Sequence, residues 1–130
     1  MADTKKKILI IEDDSYIREL YEEVLKDEGF EVESAIDGEA GLTKIRQGGY
    51  DLILLDMMLP KVDGLGVLRS VKNEPPIVKN GPIILVTNLA HDPVLKMAED
   101  LGVKHAIIKS EINPGELVEK IKDYLSNPSD

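Results

Sequence analysis

Ile8-Leu9-Ile10-Ile11-Glu12-Asp13-Asp14 is the stretch from which the rest of the chain can be read. Its apolar part is too short for a helix and rich in β-branched residues, which suits a strand buried on both faces. Three acids then mark the strand's carboxyl end. Similar runs recur at 52–55, 83–86 and 106–108, and they end in Asp56, Thr87 and Lys109. Phe30-Glu31-Val32-Glu33-Ser34 alternates instead, as a strand with one covered face does at a sheet edge.

Between these runs the spacing turns helical. Ile17, Leu20, Tyr21, Val24 and Leu25 form a core-facing stripe, with Asp14 or Ser15 as its cap and Gly29 as its stop. Asp37 caps a second helix that runs to about Gln47, with a thinner stripe of Ala40 and Ile45. Leu65, Leu68 and Val71 mark a third after Asp63. Val94, Ala98 and Leu101 mark a fourth, with Pro93 in its first turn and Gly102 after it. Leu117, Ile121, Tyr124 and Leu125 mark a fifth, introduced by the capping sequence Asn113-Pro114-Gly115-Glu116. Strand and helix alternate throughout, which predicts a doubly wound α/β fold: a parallel five-stranded sheet with helices on both faces. The segment 73–82, with its paired prolines, reads as an ordered loop.

The 130 residues, 42% hydrophobic, are enough for one domain and its core. One unit is expected over 1–130, with a core at about 6–125 and a polar tail at 126–130. The absence of cysteine removes disulfides and thiolate chemistry, and two histidines, His91 and His105, cannot make a multi-histidine metal site. A net charge of −9 argues against direct binding to nucleic acid. No apolar run approaches the ~20 residues of a membrane span, and the opening lacks the apolar stretch of a signal peptide. A soluble, cytoplasmic protein is expected.

Parallel strands send their carboxyl ends to one edge, where ligands of such sheets bind. Glu12, Asp13, Asp56, Thr87 and Lys109 therefore converge. Crowded carboxylates raise one another's pKa or recruit a cation, and hard oxygen donors suit Mg²⁺. Asp14 is more simply a helix cap. Asp56 is not, because Met57-Met58-Leu59-Pro60 after it makes a poor helix start.

These residues resemble the receiver family of two-component response regulators over about 6–125. The resemblance rests on Ile10-Ile11-Glu12-Asp13-Asp14, on Leu54-Leu55-Asp56-Met57-Met58-Leu59-Pro60-Lys61-Val62-Asp63-Gly64, on Val86-Thr87 and on Ile107-Ile108-Lys109. It implies the flavodoxin-like strand order 2-1-3-4-5. It implies Asp56 as phosphoacceptor, with Thr87 and Lys109 contacting the phosphoryl group. Asp13 and Asp56 would bind Mg²⁺, with the Met58 backbone carbonyl as a further ligand and Glu12 acting through water. The donor would be a histidine kinase or phosphotransfer protein. The output would be a protein contact on the face of helix 4, strand 5 and helix 5, made by a monomer or weak dimer. The chain would assist its own phosphorylation and dephosphorylation without being an independent enzyme. Since it ends soon after the fifth helix, no DNA-binding output domain is expected; a standalone receiver and one excised from a larger regulator both fit.

Three positions depart from the family pattern. Ala106 stands where an aromatic switch residue is usual, and strand alternation turns the neighbouring His105 to the opposite face. Ser110 replaces the usual cis proline, so a trans Lys109–Ser110 peptide and an altered loop before Asn113 are expected. Asn88 replaces a small residue beside Thr87 and is in a position to narrow access to Asp56. The alternatives are a degenerate receiver that binds proteins without phosphorylation, and a phosphatase with Asp56 as nucleophile. The phosphatase reading lacks a second Asp two residues on, where Met58 stands. A flavodoxin-like nucleotide binder is disfavoured because the acids after the first strand repel phosphate.

Overall fold

Apolar runs fill the middle of one parallel sheet. The computed structural model describes residues 5–88 and 92–126, the side chain of Asp92 excepted. The opening read for a signal peptide up to residue 4, His91, and the tail from 127 on lie outside the described residues. Strands β1 (Lys7–Ile11), β2 (Glu31–Ala35), β3 (Leu52–Asp56), β4 (Ile83–Thr87) and β5 (His105–Ile108) alternate with helices α1 (Ser15–Asp27), α2 (Gly38–Gln47), α3 (Gly64–Asn73), α4 (Asp92–Asp100) and α5 (Pro114–Ser126). The strand order is β2-β1-β3-β4-β5, all neighbours parallel.

The two faces carry separate cores. Leu9, Ile11, Ile53, Leu55 and Leu85 pack with Leu42 and Ile45 of α2, Val67 and Leu68 of α3 and Ala98 of α4. Ile8, Ile10, Leu52, Leu54, Ile84, Val86 and Ile107 pack with Tyr21 and Leu25 of α1 and with Leu117, Val118 and Ile121 of α5. Both faces of the three central strands are thus covered, which is why their sequences do not alternate. Each fully buried Leu or Ile contributes about 1.5–3 kcal/mol relative to exposure.

Helix starts follow the capping residues. Asp14, Asp37 and Asp63 accept from the backbone N–H of Ile17 (3.1 Å), Ala40 (2.7 Å) and Gly66 (2.8 Å). At α5 the box is reciprocal: Glu116 N–H donates to Asn113 Oδ1 (2.8 Å) and Asn113 N–H to Glu116 Oε1 (2.9 Å). The expected loop begins only after Asn73, which closes α3, and it is held by Asn80, whose side chain accepts from Tyr50 N–H (3.0 Å) and donates to the Ile45 carbonyl (3.0 Å).

Small differences from the expected elements have physical causes. β2 begins at Glu31, one residue later than the alternation suggested, because the Phe30 N–H is taken by the Leu25 carbonyl in the turn after α1. Leu101 lies beyond α4 and packs from the closing turn. On α2 the buried face includes Gly41 and Leu42 besides Ile45. A Cβ on Gly41 would lie 2.8 Å from Ile11 Cδ1, so a missing side chain lets the helix approach the sheet. Lys109–Glu111 forms a 3₁₀ turn before α5, and the Lys109–Ser110 peptide is trans, since no cis bond occurs among the described residues.

Candidate functional site

Strand register brings the site together. Ile11 pairs with Leu55, Asp56 with Val86 and Thr87 with Ile108. Glu12 and Lys109 each follow the last residue of their strand, so the polar ends of β1, β3, β4 and β5 share one edge. Glu12, Asp56 and Thr87 are buried there, whereas Asp13 is exposed.

One ammonium serves two buried acids. Lys109 Nζ lies 2.5 Å from Glu12 Oε1 and 3.2 Å from Asp56 Oδ2. The other Glu12 oxygen accepts from the Asp14 N–H at 3.1 Å, and Asp56 Oδ1 accepts weakly from the Met58 N–H at 3.4 Å. Burial pushes the Glu12 carboxyl pKa up, and the Asp56 charge adds to this against the pull of Lys109. Burial pushes Lys109 the other way, but hydrogen bonding to Glu12 and the Asp56 charge outweigh it and leave its pKa raised. The pair therefore holds Lys109 as a cation.

Carboxylate oxygens of Glu12, Asp13 and Asp56 all lie within 4.8 Å of one another. Three hard oxygen donors around one point, one of them facing solvent, fit a small divalent cation that keeps several waters. Glu12 spends both oxygens on Lys109 and the backbone, which suits contact through water better than direct ligation. Met58, 65% exposed, stands beside Asp56 at the mouth.

Each expected site residue thus stands at the same edge. Asp14 is the helix cap that the sequence suggested. His105 stacks on Tyr124 of α5 with ring centroids 4.3 Å apart, while Ala106 is exposed and lines a cavity of about 180 Å³ with Leu85, Leu95 and Ala98. Asn88 is exposed beyond Thr87. The sequence reading missed Arg18, whose guanidinium donates to the carbonyls of Glu12 (3.0 Å) and Asp13 (3.3 Å). Its signal was a long cation in the first turn of a helix that begins beside an acidic loop. Also missed was Glu33 on β2, which binds Lys7 Nζ (3.0 Å), Lys44 Nζ (3.1 Å) and the Tyr50 hydroxyl (2.9 Å). These partners hold its pKa near 2, Lys7 contributing most.

Comparison with known proteins agrees with this architecture. The family profile of the response regulator receiver domain matches residues 8–122. A probable transcriptional regulator, ycf27, of Cyanophora paradoxa is 36% identical over 125 residues, covering 96% of this chain and 50% of the relative. The transcriptional regulatory protein ResD of Bacillus subtilis is 32% identical over 123 residues, 95% of this chain and 49% of its own length. The chain therefore spans about half the length of these curated relatives. The crystal structure of a CheY-like receiver domain protein from Methanospirillum hungatei superposes with a TM-score of 0.85 at 33% identity, covering 96% of this chain and 97% of that one. DrrB of Thermotoga maritima, an OmpR/PhoB homolog, gives 0.77 at 26% identity over 95% of this chain and 54% of that one. With sheet order, acidic edge and sequence in agreement, the chain belongs to the response regulator receiver domain family.

Proposed function

We propose that this chain is the phosphoacceptor unit of a two-component response regulator and that Asp56 carries the phosphoryl group. The observation that supports this most is Lys109, a half-buried cation 3.2 Å from Asp56, set beside three converging carboxylates. An Asp56 carboxylate oxygen attacks the phosphorus of a phosphohistidine on a histidine kinase or phosphotransfer protein. The new O–P bond forms as the P–N bond breaks, and the imidazole leaves with its electron pair. Mg²⁺ in this site would neutralise phosphoryl oxygens while charge shifts between donor and acceptor. Asp13, Asp56 and the Met58 carbonyl would hold it, with Glu12 acting through water. Lys109 turns from the Glu12 carboxylate toward the phosphoryl oxygens, and the Thr87 hydroxyl donates to another.

The added charge, roughly −1.5 to −2 if it resembles other phosphorylated side chains, draws Thr87 and Lys109 inward. Both end strands that lead into the face built from α4, β5 and α5, so a downstream protein can read the change there. With Ala106 in place of an aromatic, the shift is carried by the Thr87 loop rather than a rotating ring. The unit acts in the cytoplasm, without direct nucleic-acid contact of its own, as a monomer or weak dimer. Incubation with acetyl phosphate and Mg²⁺ followed by intact-mass measurement tests the proposal. One added phosphoryl group is expected on the native chain and none on Asp56→Asn; equal labelling of both would refute it.

A further inference from the structure

We infer that Arg18 is a positioning residue of the cation site: it fixes the peptide groups on both sides of Asp13 and so aims the Asp13 carboxylate. The inference rests on the metal-dependent reading given above. Of the three acids, Asp13 alone is exposed, and its carboxylate accepts no hydrogen bond among the described residues. Glu12 is held through both oxygens, by Lys109 and by the Asp14 N–H, and Asp56 by Lys109 and the Met58 N–H. For Asp13 the restraint left is the backbone, which fixes the Cα–Cβ bond from which the carboxylate extends.

One side chain, Arg18, grips that backbone on both sides of Asp13. Arg18 Nη1 donates to the Glu12 carbonyl at 3.0 Å and to the Asp13 carbonyl at 3.3 Å. These carbonyls belong to the peptides 12–13 and 13–14, the two planes that meet at the Asp13 Cα. Peptide units are rigid, so holding both restrains φ and ψ of Asp13 and with them the Cα–Cβ direction. The nitrogen carries two hydrogens, one for each acceptor. The N–H end of the 13–14 peptide is tied as well, to Glu12 Oε2 at 3.1 Å, and the Arg18 N–H donates to the Asp14 carbonyl at 2.9 Å.

Charge and position make opposite demands here, which gives the inference a sign. A guanidinium close to a cation site repels the cation, so loss of charge alone would tighten Mg²⁺ binding. Loss of positioning weakens it, as removal of groups that orient metal ligands generally does. Positioning is the larger effect, because nothing else among the described residues restrains the Glu12 and Asp13 carbonyls together.

The test is calorimetric titration of the full chain with MgCl₂, alongside amide hydrogen exchange at Asp14 and a urea unfolding curve. Arg18→Met is expected to weaken Mg²⁺ binding about tenfold and to speed exchange at Asp14. Arg18→Lys keeps the charge and a donor nitrogen on a shorter arm; it is expected to recover part of the loss and to stay about threefold weaker than the native chain. Tighter or unchanged binding by Arg18→Met overturns the inference. Should that variant fail to fold, native affinity in Arg18→Lys overturns it instead. If the native chain binds no Mg²⁺, the reading of the whole site falls; if only the Arg18 variants match the native chain, this inference falls alone.

Discussion

Replacing Asp13 with Asn should stabilise the metal-free protein. The native site holds the carboxylates of Glu12, Asp13 and Asp56 within 4.8 Å of one another, with Lys109 paired to the two buried ones. Asp13 is exposed, so a dielectric near that of water applies to its interactions. At about 5 Å each like-charge neighbour then costs about 0.8 kcal/mol. Two neighbours give about 1.6 kcal/mol, and attraction to Lys109 and Arg18 cancels part of it. Asp13→Asn keeps the shape and removes the charge, so a gain of about 0.5–1 kcal/mol is expected, or ~2–4 °C in Tm. Saturating Mg²⁺ should reverse the order, because only the native chain gains from binding. Urea and thermal unfolding of both proteins, in EDTA and in Mg²⁺, measure all four values. A less stable Asp13→Asn in EDTA, or an equal Mg²⁺ gain in both proteins, would refute the electrostatic account of this site.

Glu33 gives a pH prediction. Its folded pKa near 2 lies below the ordinary 4.5, so its contribution is present above about 4.5 and is lost as pH falls toward 2. Glu33→Gln should flatten that part of the stability profile followed by circular dichroism, whereas an unchanged slope would assign it to other acids. Gly38→Ala should destabilise the fold by about 1–3 kcal/mol, although alanine favours helix, because its Cβ would fall 1.7 Å from the Val62 carbonyl oxygen; chemical denaturation reads the loss, and unaltered stability would show that the 60–62 loop yields freely. Asn113→Ala removes one half of the cap at α5 and should cost about 1 kcal/mol; a loss near zero by the same measurement would mean that water replaces the cap.

Much of this structure is legible in the chain because burial on both faces leaves little choice. The runs that became β1, β3 and β4 lie between two helical layers, and only apolar residues fit there. Their polar ends then had to share one edge, which brought Asp13, Asp56, Thr87 and Lys109 into view together. Alternation also gave the right face for His105, which reaches Tyr124 of α5. What escaped depends on reach rather than pattern. Lys109 could have paired with Asp56 alone; the longer Glu12 arm lets it bind both. Arg18 acts through its guanidinium on backbone carbonyls, which no side-chain periodicity reveals. Glu33 looked like a solvent-facing residue of an alternating edge strand, yet Lys7, Lys44 and Tyr50 converge on it from three other segments. Gly41 was invisible for the opposite reason, since its contribution is the side chain it lacks.

Locating the phosphoryl group chemically tests the central claim most directly. The native chain would be treated with acetyl phosphate and Mg²⁺, reduced with borohydride to convert an acyl phosphate to its alcohol (homoserine from Asp, hydroxynorvaline from Glu), and mapped by peptide mass spectrometry. Conversion at Asp56 alone, abolished when EDTA replaces Mg²⁺, is the predicted result. Conversion at Asp13 or Glu12 instead, or none at any acid, would contradict it.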